Sequence, residues 1–66
     1  MNKLTKGHPV EVNVDLGHAL GKHWLKGYVF EAYEPPFDTC LVSNISGFSA
    51  GVPVRYRLSD VREVTP

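Results

Sequence analysis

A chain of 66 residues has room for one domain, and at that size a hydrophobic core supplies only about 3–5 kcal/mol. Seven basic residues balance seven acidic ones, so the positive excess typical of small nucleic-acid-binding domains is missing. Cys40 is the only cysteine, which excludes an intramolecular disulfide, and with His8, His18 and His23 it makes no recognised zinc pattern.

Residues 1–9 are polar, with Gly7 and Pro9 toward their end, and read as a flexible leader before a domain over residues 10–64. Val10, Val12, Val14 and Leu16 then alternate with Glu11, Asn13 and Asp15. Period two with β-branched residues on the apolar side predicts a half-buried strand. Gly17 and Gly21 surround His18-Ala19-Leu20, and glycines free to take positive φ mark this stretch as a loop. Residues 24–33 are a second strand, with Leu25, Val29 and Tyr33 on one face and Trp24, Lys26, Tyr28 and Phe30 on the other. Both faces carry apolar groups, so the period does not select the buried one. Gly27 in mid-strand predicts a bend, a bulge or a close backbone approach, and a small barrel needs such a point to close its sheet.

Glu34-Pro35-Pro36-Phe37-Asp38 ends that strand, because proline cannot donate to a ladder. Residues 39–45 form a third strand, with Leu41, Ser43 and Ile45 on one face and Cys40, Val42 and Asn44 on the other. A turn over residues 46–51 carries Phe48 at its tip. Val52, Val54, Tyr56 and Leu58 alternate with Pro53, Arg55 and Arg57 as a fourth half-buried strand. Ser59-Asp60-Val61-Arg62 predicts one helical turn capped by Ser59, and Glu63-Val64 a last short strand. No window supports a long amphipathic helix. The spacing of turns predicts an all-β domain, a small barrel or sandwich of four to five strands. Its expected core is Val10, Val12, Val14, Leu16, Val29, Leu41, Val54, Tyr56, Leu58 and Val61.

The order of these elements resembles the SH3-like barrels, above all their Tudor-like and KOW-like members. The residues that carry the likeness are Trp24-Leu25-Lys26-Gly27-Tyr28-Val29 and the closing run from Val54-Arg55-Tyr56-Arg57-Leu58 to Ser59-Asp60-Val61-Arg62. It covers about residues 9–64 and is a pattern of spacing rather than a signature. The resemblance implies an antiparallel SH3-like barrel with a one-turn 3-10 helix before the last strand. A weaker likeness is to the plasmid-borne type II dihydrofolate reductases, through Trp24, Gly27, Val29 and Tyr33. Their active pore uses a Val-Gln-Ile-Tyr stretch where this chain has Val54-Arg55-Tyr56-Arg57. The glutamine is missing and an arginine replaces the tyrosine, so reductase activity is not expected.

A fold of this kind hosts many activities, and function is argued from a site. No nucleophile–base or acid–base pair stands out: His18 and His23 flank a glycine-rich loop, and Cys40 reads as a small buried hydrophobe. No catalytic residue, metal or cofactor is therefore expected. The aromatic residues suggest contact instead. Trp24, Tyr28, Tyr33, Phe37 and Phe48, rimmed by Arg55 and Arg57, are the candidate partner-binding residues of a non-catalytic protein–protein interaction module. Trp24, Tyr33 and Phe48 would also suit a cage for methylated cations, though packing over the barrel ends is the plainer use of them. The alternative is weak RNA or DNA binding through a basic strip of Lys26, Arg55, Arg57 and Arg62. An open edge strand would also allow a homodimer. No apolar run approaches the ~20 residues of a transmembrane helix and no signal peptide is evident. The expected location is the cytoplasm, as an adaptor or regulator whose size would suit a phage or other mobile element.

Overall fold

The alternating valines open the sheet. In a computed structural model of the chain, which describes residues 4–48 and 50–64, strand β1 spans Pro9–Asp15 and buries Val10 and Val12 completely. The first three residues of the expected leader, Ser49 of the Phe48 turn, and Thr65 and Pro66 lie outside the described residues. Strand β2 (Lys22–Tyr33), β3 (Thr39–Asn44) and β4 (Val54–Arg57) follow, then a 3-10 turn (Leu58–Asp60) and β5 (Val61–Glu63). The five strands pair antiparallel throughout, in the sheet order β4-β3-β2-β1-β5. The chain is thus the expected small all-β domain, a five-stranded sheet curled into a half-barrel, with one 3-10 turn before the last strand.

The curl has two local causes, both in β2. Val10 faces Tyr28 but Val12 faces Leu25, so Lys26 and Gly27 together oppose Glu11. Gly27 holds a φ of +97°, a conformation that side-chain-bearing residues adopt only under strain. The mid-strand glycine therefore marks a bulge, as its position in the sequence suggests. Further along, Phe30 faces Val42 and Ala32 faces Leu41, which makes Glu31 the extra residue of a second bulge. A β-carbon on Gly27 would meet nothing within 4 Å, so Gly27→Ala costs backbone strain alone. We expect a loss of about 1–2 kcal/mol, read as a lower urea midpoint with an unchanged slope.

The core consists of Val10, Val12, Phe30, Cys40, Val42 and Val61, with Leu4, Val14, Leu25, Tyr28, Tyr33, Tyr56 and Leu58 packed around it. This corrects the expected core in β2 and β3. Phe30, Cys40 and Val42 are interior, whereas Val29 and Leu41 are only half-buried. Both strands have apolar groups on both faces, and the bulges in β2 set which face turns inward. Leu16 and Val54 are exposed because each lies at or past the end of its strand, where the half-barrel is open. Near the end of the chain, the turn begins at Leu58, Arg57 occupies the cap position without a side-chain bond, and Ser59 lies inside the turn. Val61 and Arg62, expected in the helical turn, instead belong to β5 opposite Val12 and Glu11.

Residues 4–8 are tied to β2. The Gly7 N–H donates to the Phe30 carbonyl at 2.8 Å, and the Phe30 N–H donates to the His8 carbonyl at 2.9 Å. Leu4 donates its N–H to the Tyr33 hydroxyl at 2.8 Å. Among the described residues no helix is long and apolar enough to cross a membrane.

Candidate functional site

The seven candidate contact residues separate into three places. Trp24, on β2, lies under the Arg62 guanidinium, whose central carbon is 4.0 Å from the ring centroid. Arg62 in turn donates from Nε to Glu11 Oε1 at 3.1 Å, and Glu11 is only 7% exposed. The stack of Trp24, Arg62 and Glu11 crosses β2, β1 and β5 and fastens the last strand to the sheet. Trp24 also lines a groove of about 560 Å³ with Leu4, Tyr33, Leu58, Arg62 and Glu63.

Tyr28 and Tyr33 are half-buried and pack against the core, Tyr33 also facing the groove that Trp24 lines. Tyr28 meets Tyr56 edge-on, with centroids 6.4 Å apart, and Tyr33 lies 4.7 Å from Phe30. Burial, and secondarily the Tyr28 phenol, pushes the Tyr56 hydroxyl above its usual range. The Tyr33 hydroxyl accepts the Leu4 N–H, so its polar end also has a structural partner.

Phe37, Phe48, Arg55 and Arg57 gather along β4. Phe37 is 71% exposed in the turn between β2 and β3, and that turn adjoins the Arg57 end of β4 because Thr39 pairs with Arg57. Phe48 is fully exposed in the connection that leads into the Val54 end. Ile45, Val52 and Val54 are also exposed around that connection. The β4 strand is an edge of the sheet, with β3 on one side and, among the described residues, no strand on the other. An exposed aromatic thus stands beyond each end of an open strand.

Arg55 is held in place from the turn. Its Nε and Nη2 donate to Glu34 Oε1 and Oε2 at 2.8 and 3.1 Å, and Thr39 Oγ1 donates to Glu34 Oε1 at 3.1 Å. The Arg55 hydrogen bonds, helped by Thr39 and by the Arg55 charge, hold the Glu34 carboxyl below the usual carboxylate range despite an opposing effect of burial. A lowered folded-state pKa means that the pair stabilises the fold above the carboxyl's unfolded pKa. That contribution is lost as pH falls through the lowered folded value. Arg55→Ala is expected to move the Glu34 titration upward, followed by NMR of its side-chain carbonyl. An unchanged midpoint would show that Arg55 is not the cause.

The four residues of the basic strip are not brought together. Arg55 and Arg57 lie on one edge strand, Arg62 on the opposite edge, and Lys26 in the β2 bulge between them. Arg55 is paired with Glu34 and Arg62 with Glu11, while Lys26 and Arg57 make no ion pair among the described residues. The candidate groups for other chemistry are likewise separate. His18 lines an open hollow with Asp15, Gly17 and Gly21, His23 contacts the Leu20 carbonyl, and His8 lies 3.9 Å from Glu63. Among the described residues no three His, Cys, Asp or Glu side chains group to hold a metal. Burial, with the Glu34 charge second, pushes the Cys40 thiol up, away from the thiolate form that reacts.

Sequence reasoning did not single out Glu34, Ile45, Val52 or Val54 as residues of a contact surface. The signal for the last two was ambiguous, because Val52-Pro53-Val54 reads as the start of a half-buried strand, yet β4 begins only at Val54. Compared with profiles of known protein families, with curated proteins and with solved structures, the chain shows no significant match.

Proposed function

We propose that this chain is a non-catalytic protein-interaction module of the SH3-like kind, and that its contact surface is the β4 edge with its flanking aromatics. The strand order and the 3-10 turn between β4 and β5 are compatible with the SH3-like reading, which rests on the sequence pattern. The observation that carries the functional reading is the exposure of Phe48, Phe37, Ile45 and Val52 beside one unpaired strand. Large apolar groups that cost water contact in the free chain regain that cost when a partner covers them. Phe48 and Phe37 serve as anchors, and Arg57 supplies a charge at the rim.

Capture by the tagged chain from a lysate of its source, with and without nuclease, tests this reading. A protein retained after nuclease, and lost with Phe48→Ser, is the expected result. Phe48 packs on nothing that folding requires, so the variant keeps the wild-type circular dichroism. Recovery of nucleic acid, with protein lost on nuclease treatment, would contradict the reading in favour of the basic residues.

A further inference from the structure

We propose that the partner adds a sixth strand to β4, and that this strand is acidic on one face and apolar on the other. The inference rests on the interaction-module reading and names the chemistry of its partner.

The geometry of β4 sets what can dock there. The Leu58 N–H donates to the Asp38 carbonyl at 3.2 Å. In an antiparallel pair, hydrogen-bonded positions recur every second residue, so the pairs Tyr56–Cys40 and Val54–Val42 also exchange ladder bonds. The main-chain groups of Arg55 and Arg57 therefore point the other way, off the edge of the sheet. The Arg55 N–H and carbonyl and the Arg57 N–H, spaced by a two-residue repeat of about 6.8 Å, are ready for an extended chain, while the Arg57 carbonyl, at the cap of the 3-10 turn, accepts that turn's first bond.

The side chains define the face chemistry. Arg55 and Arg57 are exposed on the outer surface, and Arg57 has no ion-pair partner among the described residues. Tyr56 points inward against the core, and Val54 lies on the same side, 46% exposed at the open rim. A strand laid beside β4 places alternate side chains on these two faces. A carboxylate opposite Arg57, whose charge is not met by an ion pair as that of Arg55 is by Glu34, and apolar groups beside Val54 and Tyr56 satisfy both. The apolar groups would also extend the curl of the half-barrel toward closure.

A second copy of this chain offers Arg57 no counter-charge. Two β4 strands paired antiparallel about Tyr56 would set Arg55 of each against Arg57 of the other. Like charges directly opposed destabilise a strand pair. Arg55 is shielded by Glu34, but Arg57 is not. An acidic extended segment meets no such opposition.

Arg57 provides a test that separates charge from edge. Its φ of −70° and ψ of 144° are those proline prefers, and Tyr56 before it is already extended. Arg57→Pro therefore removes the outward N–H without disturbing β4, whereas Arg57→Ala removes only the side chain. The probe is a labelled, end-capped heptapeptide of alternating glutamate and valine, titrated into the full chain by fluorescence anisotropy. Saturable binding is expected, absent for the peptide with lysine in place of glutamate. Arg57→Ala should weaken it several-fold, and Arg57→Pro by about a further tenfold. Equal binding by wild type and Arg57→Pro, or no binding to wild type, would overturn the inference. A lysate protein captured equally by wild type and Arg57→Pro but lost with Phe48→Ser would reject the added strand while leaving the interaction-module reading intact.

Discussion

Phe30→Ala is expected to leave most of the chain unfolded at 25 °C. Phe30 is 1% exposed, is the largest fully buried side chain, and lies where β2 crosses from β1 to β3. It carries three kinds of contact at once. Its ring packs on Tyr33 and on the valines of the core, while its main chain bonds to both Gly7 and His8. Truncating a buried phenylalanine costs about 3–5 kcal/mol, part from lost transfer energy and part from the cavity left behind. A domain of this size has a total stability of roughly the same magnitude. The loss of the near-ultraviolet signal and of the cooperative melting transition would report it. A cooperative transition within a few degrees of wild type would show that the core does not centre on Phe30.

Arg62→Met ranks second. The Glu11 carboxylate is nearly enclosed, and Arg62 Nε, 3.1 Å away, is its ion-pair partner. Methionine keeps an apolar cover over Trp24 but offers no donor, so the charge of Glu11 is left uncompensated. The expected cost is about 1–3 kcal/mol. It stays below the range for fully buried pairs because the Arg62 side chain is 52% exposed and water reaches that flank. The double variant Glu11→Leu, Arg62→Met removes both polar partners and is expected to recover most of the loss. Urea midpoints of the three proteins decide the matter. A double variant no more stable than Arg62→Met alone would mean that Arg62 acts by covering Trp24 and not by neutralising Glu11.

These two residues also show what the sequence can and cannot reveal. The strands were legible from period and punctuation: valines at every second position made β1, and Gly27 marked the bulge. The inward face of β2 was not legible, because a strand with aromatics on both sides has no period that tells the core from the surface. The two extra residues in β2 settle it by shifting phase twice, and only the second of them, Glu31, has no local signature. Arg62 was read as a member of a basic strip because it follows Arg55 and Arg57 closely in sequence. The 3-10 turn sends it to the opposite edge, where Glu11 and Trp24 claim it. Trp24 and Tyr33 also make contacts, with Arg62 and with Phe30 and Leu4, that no local pattern announces.

The β4 edge was half legible. Phe37 and Phe48 sit in turns beside proline and glycine, where the sequence places them and where the structure leaves both exposed. That they flank one strand follows from the β3–β4 register, which no local pattern encodes. Val54 looked interior because it alternates with Arg55, yet it lies at the rim where the half-barrel stops. An open barrel breaks the link between alternation and burial at its edges.

The most direct test of the central claim, that β4 is an unpaired edge which accepts a partner strand, is amide hydrogen exchange at single-residue resolution. In the free chain the Arg55 and Arg57 amides should exchange rapidly while Tyr56 between them is protected. Addition of the glutamate–valine heptapeptide should slow Arg55 and Arg57 and leave the β5 amides unchanged. Protection of Arg55 and Arg57 in the free chain, or exchange indifferent to the peptide, would contradict the account.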